Sequence, residues 1–291
     1  MANPALVSKL PPFTLLDEPD LAFSPSDATK VDVHPLRGLL NFGPYSKGSF
    51  GGYTSRIRIA TVGPESAFRQ RGDLMASLRI AHRASDRSEY VPEYPGFEPL
   101  FHVALEAAPA EAHIKWPDHL PQLPGDGDPQ ARLYLALEAA LRRLDSVRDT
   151  FDVALVHFPD AWAPATRSKH FDAHDALKAL GARFSIPTQV LNDRAFTFNH
   201  KASLAWRLAT ALYVKAAGTP WKLAPLQGVP QDTAYIGLAY ALRGDQREAH
   251  YVTCCSQVFD MDGGGMQFVA FEARDPVADV AEARRNPFLS R

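Results

Sequence analysis

The chain has 291 residues, of which 46% are hydrophobic and 22% charged, a balance that excludes a disordered chain and is typical of ordinary globular proteins. The formal net charge of −2 excludes a uniformly basic coat for nucleic acid, although a local cationic patch would still bind phosphate. No apolar run approaches the roughly eighteen residues of a membrane span, and no basic-then-apolar signal opens the chain, so we expect a cytoplasmic protein without membrane contact.

The first part of the chain, residues 1–53, is rich in Pro, Gly and Asp and predicts an extended lead-in. Strands and helices then alternate. The predicted strands are 56–62, 100–105, 151–158 and 188–191, and the predicted helices are 65–84, 129–147, 172–180 and 201–217. This alternation predicts a Rossmann-like α/β sheet with parallel strands. Residues 107–128 interrupt it with Pro and Asp-Gly content, which indicates a surface loop.

The pattern changes after residues 218–220 to antiparallel strands at 233–242, 251–259 and 266–273, with 262–265 as a hairpin turn. A second domain therefore begins near Trp221. Cys254 and Cys255 are adjacent, which is poor geometry for a disulfide and offers no second pair for zinc, so we interpret them as small apolar residues in a strand.

One stretch of the chain, residues 167–222, is clearly cationic. Its basic residues are Arg167, Lys169, Lys178, Arg183, Arg194, Lys201, Arg207, Lys215 and Lys222. Its acidic residues are Asp172, Asp175 and Asp193. This excess of positive charge predicts an anion-binding region.

Within this stretch, His174 and Lys178 lie four residues apart on a helix with Asp172 as its predicted N-cap and Gly181 as its predicted C-cap. That spacing places both side chains on one helix face, where a ring donor and an ammonium can reach one anion. The alternative reading is a solvated helix face.

Two more polar residues follow at the ends of predicted elements. Gln189 lies in the short strand 188–191, and Lys215 lies near the end of the last predicted helix, where a lysine also stabilises a helix C-terminus.

These four residues, His174, Lys178, Gln189 and Lys215, resemble the 5′-phosphate pocket of an Argonaute MID domain. In that family, an aromatic residue or histidine, a glutamine and lysines bind the terminal phosphate of the guide strand, and the resemblance assigns this role to these four positions. Many members carry a second lysine where this chain has Ala211. The further candidates for contacts with the guide backbone are Lys201, Arg207 and Lys222.

The resemblance extends over nearly the whole chain and is strongest from 166 to 265. Residues 218–223 are similar to the junction into a PIWI domain, and residues 232–240 resemble the first strand of its RNase H-like core. Residues 38–45 resemble the start of short prokaryotic Argonautes. Active members carry an aspartate where this chain has Ala239, and alanine cannot ligate the ions of two-metal cleavage, so we expect no slicing and no enzymatic activity.

The resemblance implies three parts: the lead-in 1–53, a Rossmann-like MID domain 54–220, and an RNase H-like PIWI domain 221–291. The PIWI part is expected to be incomplete, because further helices and strands complete this sheet in the family. The uncovered antiparallel strands then need a cover, which could be a remainder of the polypeptide, a second copy or an effector subunit, and the resemblance favours the effector.

For function, the resemblance implies a subunit that binds a guide strand and recognises a complementary target, with RNA favoured as the guide and DNA as the target. Short members act beside an effector protein that carries an Argonaute-associated domain, in defence against plasmids and phages. No cofactor is expected for catalysis, and Mg²⁺ is a candidate ligand at the guide 5′ phosphate.

Two other functions fit the same residues. A Rossmann-like enzyme or sensor would use the cationic pocket for a small phosphorylated metabolite. A purely structural subunit would bind no phosphate at all.

Overall fold

The computed structural model of the chain describes residues 18–46, 55–122, 128–168, 171–225, 228–230, 233–243, 250–259 and 265–271. The chain forms two compact units, Met1–Trp221 and Lys222–Arg291. None of the helices in the described ranges combines the length and the apolar composition that a membrane crossing requires.

The first unit opens with two short antiparallel strands and a helix: β1 (Leu21–Ala22), β2 (Val31–Asp32) and α1 (Pro35–Phe42). The prediction of an extended lead-in is therefore wrong for α1. His34 caps this helix, because its Nδ1 accepts the N–H of Arg37 at 3.2 Å, and Pro35 is compatible with the first turn. Gly38 lets the helix pack directly on the ring of Phe23, since a Cβ atom there would lie 2.1 Å from ring carbons.

Five parallel strands form the central sheet of this unit. They are β3 (Arg56–Pro64), β4 (Ala104–Ala107), β5 (His113–Trp116), β6 (Val153–His157) and β7 (Thr188–Leu191). The strand order is β4-β3-β6-β7, and β5 pairs with the second half of β3, beyond β4. The predicted Rossmann-like parallel sheet is thus confirmed.

Helices cover both faces of this sheet. They are α2 (Phe68–Leu78), α3 (Phe97–Phe101), α4 (Pro129–Asp145), α5 (Ala163–Thr166), α6 (Ala173–Arg183), α7 (Arg194–Thr197) and α8 (Lys201–Lys215). Short 3-10 turns lie at Ala110–Ala112, Leu120–Gln122, Arg148–Thr150 and Asp160–Trp162.

Two cores result from the alternation of side chains along the strands. One core packs against α2, α3 and α8 and takes from the two central strands Ile57, Ile59, Val153 and Leu155. The other packs against α4 and α6 and takes Ala60, Val62, Ala154 and Val156. Because successive residues of β6 enter opposite cores, this strand is buried throughout, as its continuous apolar sequence predicts.

Three of the predicted elements differ from the structure. The predicted strand 100–105 is wrong, because Gly96 and His102, both at positive φ, bracket the short helix α3 before β4 begins. The predicted loop 107–128 contains β5, whose pairing with β3 no local pattern indicates. Helix α2 is shorter than predicted, since the chain turns after it and His82 pairs with Tyr94.

The second unit contains β8 (Lys222–Leu223) and an antiparallel sheet of β9 (Tyr235–Arg243), β10 (His250–Phe259) and β11 (Gly265–Phe271). The sheet has the order β11-β10-β9, so consecutive strands are neighbours, as predicted. Cys254 and Cys255 lie on β10, as expected. The predicted turn at 262–265 lies mostly outside the described residues.

Candidate functional site

Helix α6 places the first two candidate residues. Its N-cap is Asp172, as predicted, because Oδ1 accepts the N–H groups of His174 and Asp175 at 2.8 and 3.3 Å. The predicted C-cap at Gly181 is wrong, since the helix continues to Arg183. His174 lies in the first turn with 56% of its side chain exposed, and its Nδ1 is 3.4 Å from Asp175 Oδ1. A neighbouring carboxylate competes with any phosphate for this imidazole.

Lys178 lies one turn further along α6 and points to the sheet. Its Nζ donates to the backbone oxygen of Thr188, the first residue of β7, at 2.9 Å. The close approach of helix and strand depends on Gly181, where a Cβ atom would lie 2.9 Å from the backbone oxygen of Ile186. Gly181 therefore allows α6 to lie close enough to β7 for Lys178 to reach Thr188.

Lys215, the last residue of α8, meets Lys178 beside the same end of β7. Partial burial, together with the positive charge and the side-chain contact of Lys178, lowers the pKa of Lys215 to about 8. Among the described residues, neither amine has a carboxylate as ion-pair partner. We call these two residues the lysine pair. Two partly desolvated amines without a counterion form a receptor for an anion.

A cavity of about 400 Å³ opens beside the lysine pair. Its other walls come from the end of α6 and the loop into β7, namely Gly181, Ala182, Ser185, Ile186, Pro187 and Thr188. The cavity thus lies at the amino end of β7.

Gln189 lines a second cavity of about 430 Å³, towards the carboxyl end of the same strand. Its Nε2 donates to the backbone oxygen of Val190 at 3.0 Å. Other polar side chains of this cavity are Asn192, Arg194 and Arg207. The structure therefore brings Lys178 and Lys215 together at one cavity. Gln189 lines the neighbouring cavity, and His174 lines neither of the two.

The candidates for backbone contacts are also separated. Arg207 is exposed on α8, with its guanidinium 5.6 Å from the ring centre of Phe198, and it lines the second cavity. Lys201 is exposed at the start of α8. Lys222 belongs to the second unit. Ala211 lines the second cavity, so the position at which the family pattern has a lysine does face a site.

Arg194 belongs to the predicted cationic stretch, but neither Arg194 nor Asn192 was predicted to line a cavity with Gln189. Their signal was available, because residues directly after a parallel strand lie at the carboxyl edge of the sheet, where open α/β sheets bind ligands.

A polar cluster around the buried His157 anchors the loop that carries these two residues. His157, at the end of β6, is 1% exposed, and its Nε2 donates to Asp193 Oδ1 at 2.8 Å. Burial lowers the pKa of His157, which favours the neutral ring. The other oxygen of Asp193 accepts the N–H of Asp160 at 2.9 Å. The loop after β7 is thereby fixed to the carboxyl end of β6.

One group of side chains has the spacing of a metal site. The ligand atoms of Asp172, His174 and Asp175 lie within 4.8 Å of one another. Asp172 already caps α6, and its other oxygen lies 3.7 Å from Arg167. Mg²⁺ prefers several oxygen ligands in octahedral geometry, and this set offers two carboxylates, one of them engaged. The set therefore does not fit a dedicated magnesium site.

Ala239, the position expected to carry a catalytic aspartate, lies on β9 and pairs with Cys255 of β10. Its backbone is therefore part of a regular sheet, and its methyl group offers no ligand atom.

We expect Gly181→Ala to disrupt the lysine pair. The new Cβ would press on the backbone of Ile186, so α6 must move away from β7. The hydrogen bond from Lys178 to Thr188 would then be lost or lengthened. We expect a loss of about 1 to 3 kcal/mol in the free energy of unfolding, measured by urea denaturation.

The matched control is Gly72→Ala in α2, where a Cβ atom meets nothing within 4 Å. This change should leave stability equal or raise it by up to about 1 kcal/mol, because alanine is the better helix former. Equal effects of the two substitutions would contradict the close contact at Gly181.

No protein-family model and no curated protein sequence matches the chain. Comparison with solved structures finds Argonaute proteins. The Aquifex aeolicus Argonaute is 12% identical with a TM-score of 0.47, and the match covers 89% of this chain and 30% of that one. The Marinitoga piezophila Argonaute in complex with a 5′-OH guide RNA is 8% identical with a TM-score of 0.47, covering 90% and 34%.

The Methanocaldococcus jannaschii Argonaute is 12% identical with a TM-score of 0.48, covering 93% of this chain and 35% of that one. This chain is thus similar to Argonaute structures over about nine tenths of its own length and spans about a third of theirs.

Proposed function

We propose that this chain is a non-slicing short Argonaute subunit that binds a guide strand, with the 5′ phosphate of the guide held between Lys178 and Lys215. The lysine pair carries this proposal. Two ammonium groups without a carboxylate repel each other, and a terminal phosphate with nearly two negative charges removes that repulsion. The resemblance of His174, Lys178, Gln189 and Lys215 to the family's phosphate pocket includes both lysines and supports the same assignment.

The second cavity supports a strand rather than a free phosphate as ligand. The lysine pair lies at one end of β7 and the cavity with Gln189, Arg194 and Arg207 at the other, so about 10 Å separates them. A cationic path of this length suits the backbone of a single strand, and the Phe198 ring beside Arg207 offers a surface for a base.

A binding competition tests the proposal directly. A 5′-phosphorylated oligonucleotide, the same sequence with a 5′ hydroxyl, and the corresponding 5′ mononucleotide compete for the chain at one fixed salt concentration. Tightest binding of the phosphorylated oligonucleotide supports guide binding. Equal affinity for the mononucleotide would favour the phosphorylated metabolite instead, and no phosphate preference would leave only a structural subunit.

Target recognition and the effector partner belong to the same proposal. A bound guide would recognise its target by base pairing, while the protein contacts the nucleic-acid backbone and recognises the shape of the paired strands. Tyr235, Ile236 and Leu238 of β9 expose apolar side chains, which suits a partner surface or further chain. Co-purification with a co-encoded effector tests this part, and its absence at micromolar concentrations of both proteins would remove the heterodimer from the proposal.

We expect the preference for the phosphorylated over the hydroxyl oligonucleotide to fall with rising pH. The pKa of Lys215 is about 8 in the free site, and a bound phosphate raises it, so binding favours the protonated amine. Well below pH 8 the amine is almost fully charged, and the affinity changes little down to about pH 6, where the phosphate itself gains a proton. Between pH 7.5 and 9.5 the affinity ratio of phosphorylated to hydroxyl oligonucleotide should fall about tenfold.

The control for this pH dependence is Lys215→Arg, because arginine stays charged over the whole range. The affinity ratio of phosphorylated to hydroxyl oligonucleotide should remain constant for this variant from pH 7.5 to 9.5. A wild-type ratio that is equally constant would show that Lys215 does not titrate in contact with the phosphate.

A further inference from the structure

Lys215 lies at the junction of two cavities of opposite character. On one side is the cavity of about 400 Å³ that it shares with Lys178. On the other is a cavity of about 650 Å³ between α8, α1 and the segment 86–91. Of the described residues that line these two cavities, Lys215 alone lines both.

The larger cavity has more apolar than polar lining, and its polar side chains besides Lys215 include Arg87, Ser203, Arg207 and Thr210. Its apolar walls are Leu36, Val91, Phe198, Trp206, Ala211, Val214 and Trp221. Its acidic residue, Asp86, is engaged, because Oδ1 accepts the hydroxyl of Ser203 at 2.7 Å and lies 3.6 Å from His200 Nδ1. The cavity therefore suits the apolar part of a small molecule, whereas the cavity of the lysine pair suits an anion.

We propose that Lys215 is a modification site for small acyl phosphates, whose phosphate binds beside Lys178 while the acyl chain enters the apolar cavity. This inference rests on the anion site of the proposed function. It does not require an oligonucleotide.

The reaction is a simple acyl transfer. The neutral Nζ of Lys215 attacks the carbonyl carbon, the N–C bond forms, and the bond between that carbon and the phosphate oxygen breaks. The phosphate leaves with the electron pair, and one amine proton is lost to phosphate or water. The products are an amide on Lys215 and inorganic phosphate, so no oxidant or further reactant is needed.

The environment of Lys215 supplies the neutral amine that this step requires. In the free site, where the pKa of Lys215 is about 8, about a quarter of the amine is neutral at pH 7.5, against roughly 0.1% for an ordinary lysine, and a bound phosphate lowers this neutral fraction. The Nζ of Lys178 donates to the backbone oxygen of Thr188 and lies beside the leaving phosphate. An amide at Lys215 removes a positive charge and fills the junction, so acylation would close the anion site.

The experiment treats the full chain with acetyl phosphate or, in parallel, with acetic anhydride, which lacks a phosphate, and maps acetyl groups by peptide mass spectrometry. The reference is Lys201, an exposed lysine at the other end of α8. We expect acetyl phosphate to modify Lys215 at least tenfold faster than Lys201, and this ratio to exceed the ratio found with the anhydride. Inorganic phosphate should protect Lys215 and leave Lys201 unprotected.

Two further measurements separate the parts of the proposal. Butyryl phosphate should retain the preference for Lys215, because the apolar cavity accepts the longer chain. Lys178→Met should reduce modification of Lys215 by acetyl phosphate more than by the anhydride, with folding checked by thermal melting. Because phosphate protection is measured on the wild type, the test stands even if this variant does not fold.

Equal rates at Lys215 and Lys201, or a selective reaction that inorganic phosphate leaves unchanged, would overturn the proposal. Loss of the Lys215 preference with butyryl phosphate would overturn the role of the apolar cavity. The guide function fails in a different way: phosphorylated and hydroxyl oligonucleotides would bind equally, while inorganic phosphate would still protect Lys215.

Discussion

A 5′-phosphorylated guide oligonucleotide is expected to bind this chain at least tenfold more tightly than the same oligonucleotide with a 5′ hydroxyl. Each charged hydrogen bond to the phosphate contributes roughly 1.5 to 3 kcal/mol, and the lysine pair supplies two cations to one anion. Lys178→Met keeps the apolar stem and removes the charge, so the preference should fall about ten- to hundredfold. Affinity for the hydroxyl oligonucleotide should change little.

The control for this substitution is Lys201→Met. It removes the same charge from the same cationic stretch, at an exposed position of α8 that lines neither cavity. It should lower the affinity for both oligonucleotides equally and make binding less dependent on salt concentration. The ratio of the two affinities should stay unchanged. Competition titrations at two salt concentrations give both quantities. If the two variants lower the ratio to the same extent, the lysine pair is not the phosphate site.

The second large effect is an expected absence of guide-directed cleavage. Two-ion hydrolysis needs carboxylates that hold both metals at the scissile phosphate, and Ala239 provides none at its position on β9. With guide, labelled complementary target and either Mg²⁺ or Mn²⁺, a denaturing gel should show intact target after prolonged incubation. The chain must be free of any partner protein in this assay.

Filter binding of the same sample serves as the control, because retained target shows that the complex formed. A guide shifted by one nucleotide distinguishes specific cutting from contamination by a nuclease. Target fragments that shift by one nucleotide with the guide would show that this chain slices despite Ala239.

Much of the first unit follows from local sequence patterns. The continuous apolar run of β6 predicts a strand buried on both faces, and the structure gives each face its own core. Asp172 predicts the start of α6, because a capping carboxylate acts on N–H groups only two and three residues away. Interactions between residues this close in the chain can be recognised from the sequence itself.

The lysine pair, by contrast, depends on tertiary structure. Spacing places His174 and Lys178 on one helix face, but only the packing of α6 on β7 brings the Lys178 amine to Thr188. The same packing leaves Gln189 in a separate cavity. The depressed pKa of Lys215 arises from burial and from a charge on another helix, and neither has a local signal.

The sequence by itself therefore determined the α/β alternation, the antiparallel strands of the second unit and the cationic stretch, because periodicity, capping and charge act between near neighbours. Tertiary structure decided that β5 extends the sheet from a proline-rich stretch, that α1 forms in the lead-in, and that Lys178 and Lys215 line one cavity. These features require contacts between segments far apart in the chain, whose free energy no local pattern records.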